Sequence, residues 1–177
     1  MIYEFDSKRP KIALSAHISE SAVIIGDVSI GERCYIGPGA VLRGDAKPIV
    51  VGDETAVEDR AVIHVGGSKT RGCSIGRRVT IGHGAIIHGN KIADGANIGM
   101  GAILSLYSEI GEYAVVAEGA VVKAGQHVPP RVVVGGAPAK VLRKLLDRDV
   151  AAWEKSKQIY IDLAEHCNTP GTLKRIE

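Results

Sequence analysis

The chain is 177 residues long, with 22 Lys and Arg against 20 Asp and Glu. That length suits one domain with an appendage, and so balanced a charge gives no reason to expect a nucleic-acid or membrane-surface partner. Gly is abundant at 22 residues while aromatics make up 4%, which suits many tight turns around a core of small aliphatics.

The N-terminal stretch MIYEFDSKRPKI has no apolar run behind basic residues, so no signal peptide is expected and cytoplasm is the default compartment. No segment approaches the ~20 apolar residues of a membrane span. From Ile18 onward a six-residue rhythm begins. Aliphatic residues recur at Ile24, Ile30, Ile36 and Leu42, and a smaller residue follows four positions after each of the first four, at Ala22, Val28, Cys34 and Ala40. The rhythm resumes at Val51, Val57 and Ile63, then at Ile75, Ile81 and Ile87, with Thr55, Ala61, Val79 and Ala85 in the small slots. After a one-residue slip it runs through Ile92, Ile98, Leu104, Ile110, Val116, Val122 and Val128.

A strict period of six fits neither helical spacing nor one long alternating strand. It fits a short strand and a turn, repeated, and three such units close a triangular coil of about eighteen residues with the aliphatics inward. Glycines such as Gly31, Gly52, Gly82 and Gly99 supply the corners. The expected fold is an all-β repeat over 1–137, followed by a helical segment over 138–177 that packs on it. Two interruptions read as surface loops, near 43–50 and near 65–74, where Lys69 is a poor inward residue. Long loops on repeat scaffolds tend to carry function. After GGAPAK the stretch from Asp147 to Cys167 predicts a helix, with Trp153, Ser156, Tyr160, Leu163, Ala164 and Cys167 on one face. Cys34, Cys73 and Cys167 are odd in number and lack CxxC spacing, which argues against a disulfide framework or a thiolate metal site; Cys34 fills a core slot.

Three histidines lie on this ruler. His64 and His88 each follow an inward isoleucine by one residue, on the same face of successive coils, and Arg43 takes the same position one coil earlier. Adjacent strands are about 4.8 Å apart, so both imidazoles can reach one ion. His83 falls two residues after Ile81, round the corner, with Asp59 at the matching offset. A threefold homo-oligomer would bring His83 of one protomer to the His64/His88 pair of another. Three neutral imidazoles with an open fourth position make a catalytic zinc site, where bound water reaches a pKa of roughly 7. Iron(II) or cobalt(II) suits such a donor set as well. His17, His127 and His166 read as ordinary surface or core residues.

The six-residue pattern resembles that of hexapeptide-repeat proteins, and the resemblance implies a left-handed parallel β-helix. LRGD at 42–45, ED with AVIH within 58–64, IGHGAIIHG at 81–89 and IY at 159–160 are similar to the γ-class carbonic anhydrases and their close homologues, among them proteins associated with phenylacetate and carnitine metabolism. The resemblance implies reversible hydration of CO2 to bicarbonate at trimer interfaces. It implies His64 and His88 as zinc ligands from one subunit and His83 as the neighbour's. It further implies an interface salt bridge of Arg43 and Asp45, Asp59 as an active-site aspartate, and Tyr160 near bicarbonate. Two features depart from the family pattern. Glu58 stands where Gln is common, and neither the loop VGGSKTRG after His64 nor Ala46 supplies a proton-shuttle glutamate. Two other activities use the same scaffold: coenzyme A-dependent acyl transfer or a metal-dependent acyl-CoA thioesterase. A metal-stabilised trimeric scaffold with little catalysis is a third reading.

Overall fold

The computed structural model describes residues 1–66, 72–89, 91–174 and 176. The chain winds into a parallel β-solenoid of about seven turns with one C-terminal helix. Its first face stacks His17–Ile18, Tyr35–Ile36, Ala56–Val57, Thr80–Ile81, Asn97–Ile98, Val115–Val116 and Val132–Gly135. The second and third faces form one sheet, because Val23–Ile30 and Val41–Val51 bend round the corner between them without a break. Val62–His64, Ile86–His88, Ile103–Leu104 and Val121–Val122 continue the second face, and Cys73–Ile75, Lys91–Ile92, Glu109–Ile110 and His127–Val128 the third.

The six-residue rhythm is the core itself. Ile24, Ile36, Leu42, Ile63, Ile81, Ile87 and Leu104 are all 0% exposed, with Ala22, Cys34, Ala40, Ala61 and Ala85 between them. Each large aliphatic taken out of water contributes roughly 1.5–3 kcal/mol. Polar atoms in small slots are answered by the coil above. Thr55 Oγ1 donates to the Gly76 carbonyl at 2.8 Å, and Cys34 Sγ to that of Gly52 at 3.1 Å.

Glycine holds only part of the corners. Arg33, Glu54, Arg78, Tyr113 and Arg131 turn one corner with φ between 50° and 59°, at a cost of roughly 1–2 kcal/mol each. The backbone N–H groups of the last four reach carbonyls of the coil below, as from Glu54 to Glu32 at 2.8 Å and from Arg78 to Asp53 at 2.9 Å, while that of Arg33 donates to the Ser15 hydroxyl. Glycine is needed where coils press together: a Cβ on Gly99 would lie 2.5 Å from the Glu118 amide nitrogen.

Several expectations change. The loop expected over 43–50 is part of the strand Val41–Val51; its extra residues, 45–48, bulge opposite Asp27 between the pairs Gly26/Gly44 and Val28/Ile49. The loop expected over 65–74 falls largely on residues 67–71, outside the described residues, and its ends are ordered core: Val65 is 0% exposed, and Cys73 opens a strand. After the cis Ala137–Pro138 bond, Lys140–Lys144 pairs antiparallel with Val132–Gly135 instead of leading straight into the helix. At the other end, Ile2–Tyr3 and Lys11–Ile12 add to the solenoid ahead of Ile18.

The helix, Asp147–Asn168, lies along the first face, with Asn168 meeting His17 at the first coil and Lys157 meeting Asn97 further up. Its buried residues are Lys157, Ile161 and Ala164. Ser156, expected on this face, is exposed, and Trp153, Tyr160, Leu163 and Cys167 are half-buried. The packed face is rotated because the ring of Tyr35 meets Tyr160 at 5.5 Å between centroids and Asn97 draws in Lys157. Ion pairs tie it down: Arg78 bonds Glu54 at 2.6 Å and Glu154 at 2.8 Å, and Arg33 pairs with Glu54 and Glu165. Among the described residues, no helix is long and apolar enough to cross a membrane.

Candidate metal centre on the second face and its corner

The strands Val62–His64 and Ile86–His88 set His64 directly beside His88 in register, and Arg43 sits beside His64 one coil earlier. Alternation along each strand turns Ile63 and Ile87 inward and both imidazoles outward. The two rings are stacked, 5.3 Å apart at 16°. Burial, then the neighbouring Arg43, lower the His64 pKa against the pull of Asp45. His64 is therefore held neutral, the form in which an imidazole offers a lone pair to a metal.

Asp45 links this column. Its Oδ2 accepts from Arg43 Nη1 at 2.5 Å, and its Oδ1 lies 3.3 Å from His64 Nε2. Burial works against the carboxylate, but the hydrogen bonds from Arg43 and the Ala46 amide hold Asp45 below the usual range. The Arg43–Asp45 pair, which the resemblance implies at a subunit boundary, is closed here within one chain. Gly66 was not singled out by sequence, yet a Cβ there would lie 3.3 Å from His88 Nε2 and 3.4 Å from His64 Cε1. Only its place two residues after His64 could have pointed to it.

His83 occupies the corner between the first and second faces and is more exposed than His64. Glu58, 5% exposed, accepts from the His83 amide at 3.1 Å, and the same oxygen lies 3.1 Å from His83 Nε2. Asp59 Oδ2 is 3.6 Å from His83 Nδ1. Tyr160 reaches this group from the helix: burial raises its phenol pKa, and the facing Glu58 carboxylate raises it further. Its proton is thus retained for donation to Glu58. The site residues accordingly fall into two half-sites, Arg43, Asp45, His64 and His88 on the second face, and Glu58, Asp59, His83 and Tyr160 at the corner. Among the described residues no group of three metal-binding side chains converges within one chain. Two stacked imidazoles, one held neutral, suit part of a zinc-type donor set.

The outward side chains give the three faces different characters. The third presents Lys11, Ser29, Ser74, Lys91, Glu109 and His127 beside Val50, and the helix covers the first coils of the first face. The second presents Val41, Val62, Ile86, Ile103 and Val121, stacked in register, with Ile86 43% and Ile103 38% exposed. This uncovered apolar stripe runs beside the histidine column.

Fold and repeat define a hexapeptide-repeat β-helix protein, and residues 15–44 match the family described as bacterial transferase hexapeptide (six repeats). The chain is 37% identical over 170 residues to a carbonic anhydrase of Geobacillus kaustophilus, covering 94% of this chain and 90% of that one. It is 40% identical over 162 residues to the mitochondrial γ carbonic anhydrase 2 of Arabidopsis thaliana; the match covers 89% of this chain but only 58% of that relative's length. A solved structure from Bacillus cereus, provisionally named an acetyltransferase, superposes with a TM-score of 0.92 at 36% identity and covers 94% of this chain and 96% of its own. The chain belongs to the γ-class carbonic anhydrase-like family of hexapeptide-repeat proteins, and its coil is the left-handed parallel β-helix of that family.

Proposed function

We propose that the protein is a homotrimeric, zinc-dependent carbonic anhydrase, converting CO2 and water reversibly to bicarbonate at its subunit interfaces. His64 and His88 of one protomer and His83 of its neighbour would hold the ion, for which iron(II) and cobalt(II) compete. The observation that carries this reading is the in-register, stacked His64–His88 pair with His83 displaced round the corner. The apolar stripe on the second face supports association, since exposed patches of this kind mark contact surfaces.

A bound divalent ion supplies Lewis acidity and makes water an effective nucleophile at neutral pH. The chain's own groups do the rest. Asp45 fixes the orientation of His64, and burial together with Arg43 keeps it neutral. Asp59 is placed to orient the His83 ring through Nδ1, the role such partners play for ligand histidines. Tyr160, kept protonated, donates to Glu58, which leaves that carboxylate directed at His83 and the space beside it. Glu58 repels an anion where an amide would bind it, so bicarbonate release is favoured over its capture.

Stopped-flow CO2 hydration on zinc-, cobalt- and iron-loaded protein, with mass and metal content measured together, tests the proposal. One metal per protomer in a trimer, with hydration above buffer, is the expected result. Full loading with no rate above buffer for any metal overturns it. The name of the Bacillus cereus structure keeps acyl transfer as the competing reading, which coenzyme A binding by metal-free protein would favour.

A further inference from the structure

We propose that Lys157, on the inner side of the C-terminal helix, is a site of reversible carbamylation by CO2. Its side chain is 2% exposed, far beyond what lysines usually tolerate. Nζ donates to Asn97 Oδ1 at 2.5 Å and lies 6.0 Å from the centroid of the Trp153 ring. Asn97 and Trp153 also line a cavity of about 280 Å³; Lys157 itself is not among its walls, which include Val115 and Val133 as well as the charged Glu58, Glu118 and Arg143. CO2 is small enough for such a space and has no tightly held hydration shell to shed.

Burial pushes the amine down to about 8, with Arg78 lowering it further and Glu154 opposing. A neutral Nζ lone pair is therefore present near neutral pH. It forms an N–C bond to the carbon of CO2, one C–O π pair moves onto oxygen, and one N–H proton leaves. Nothing is oxidised or reduced. The proton passes to solvent; the buried Oε1 of Glu154, on the same helix, has no hydrogen-bond partner among the described residues and is placed to relay it. The new negative charge on the carbamate adds to that of Glu154, and Arg78 faces both. The remaining N–H still bonds Asn97. CO2 as the electrophile rests on the reading of the protein as a CO2 enzyme; the amine does not depend on the metal site, although Glu58 lines the neighbouring cavity.

The test equilibrates metal-free and metal-loaded protein with ¹³C-labelled bicarbonate and CO2 at pH 8. Triethyloxonium then traps carbamates as ethyl esters, which are located by peptide mass spectrometry. The exposed neighbour Lys155 is the internal control. The expected result is at least tenfold more label on Lys157 than on Lys155 in both metal states, rising with pH between about 7 and 9 and absent from Lys157→Met. Label on Lys157 no higher than on Lys155 overturns the proposal, and this ratio is read on the wild type even if the variant does not fold. Loss of CO2 hydration with the label intact counts against the metal-site reading alone.

Discussion

Gly66 shows how one missing side chain shapes the histidine pair. Its backbone runs along the outer edge of both rings, and no positive φ demands glycine there. A larger residue is conformationally allowed and would press on His88 Nε2. Gly66→Val is expected to keep the fold and to lower zinc affinity at least tenfold, as measured by competition with a chromogenic chelator; unchanged affinity would mean the ion does not use that edge. Lys157 gives a second residue-scale prediction. Its folded pKa lies below its unfolded one, so between about pH 8 and 10.5 the unfolded chain holds a proton the folded chain has released. Wild-type stability must then rise with pH in that window relative to Lys157→Met, by about 3 kcal/mol in total. Paired urea titrations at pH 7.5 and 10 check the sign. A wild-type stability that falls or stays constant relative to Lys157→Met between those pH values would mean that the amine is solvated. Neither residue stands out in the sequence, since a glycine beside a loop and a lysine in a helix are both ordinary.

At the level of elements, the helix is held by charge as much as by apolar contact. Its buried face offers only Ile161 and Ala164 besides Lys157, while Arg78 joins Glu54 on the solenoid to Glu154 on the helix. Removing Arg78 takes the ion pair from the partly buried Glu154 and leaves Glu54 with Arg33 alone. Arg78→Gln is expected to destabilise by about 1–3 kcal/mol and to loosen the helix before the solenoid, visible as faster amide exchange over 150–165 than over the strands. Equal protection in both proteins would place the helix's anchorage elsewhere. The helix was legible in the sequence and the rotation of its packed face was not. Periodicity counts apolar residues, and it could not foresee that Asn97 would draw a lysine inward while Ser156 turned to solvent. The bulged strand 41–51 was hidden for a related reason: a nine-residue gap in the rhythm reads as a loop unless the flanking strands keep pairing through it.

For the whole molecule, the decisive feature is that one face of three is left apolar and uncovered beside the stacked His64–His88 pair, the proposed metal ligands. Association and metal binding should therefore be linked. Replacing Ile86 and Ile103 together by Glu is expected to give a folded monomer by light scattering with at least a tenfold loss of zinc affinity, although no histidine is changed. A trimer that persists with both glutamates would mean that the interface lies on another face.

The amino-acid sequence by itself determined the solenoid, because a six-residue repeat of inward aliphatics has one economical way to bury them, with each coil resting on the last. It also determined that His64 and His88 share a column, since the offset from an inward residue fixes both face and position. Tertiary structure decided the rest: Glu58 turned onto His83, Asp45 onto His64, and Lys157 buried against Asn97. Those contacts join residues tens of positions apart or depend on the bend of one strand, and a local pattern carries no record of which polar groups meet once the coils and the helix have packed.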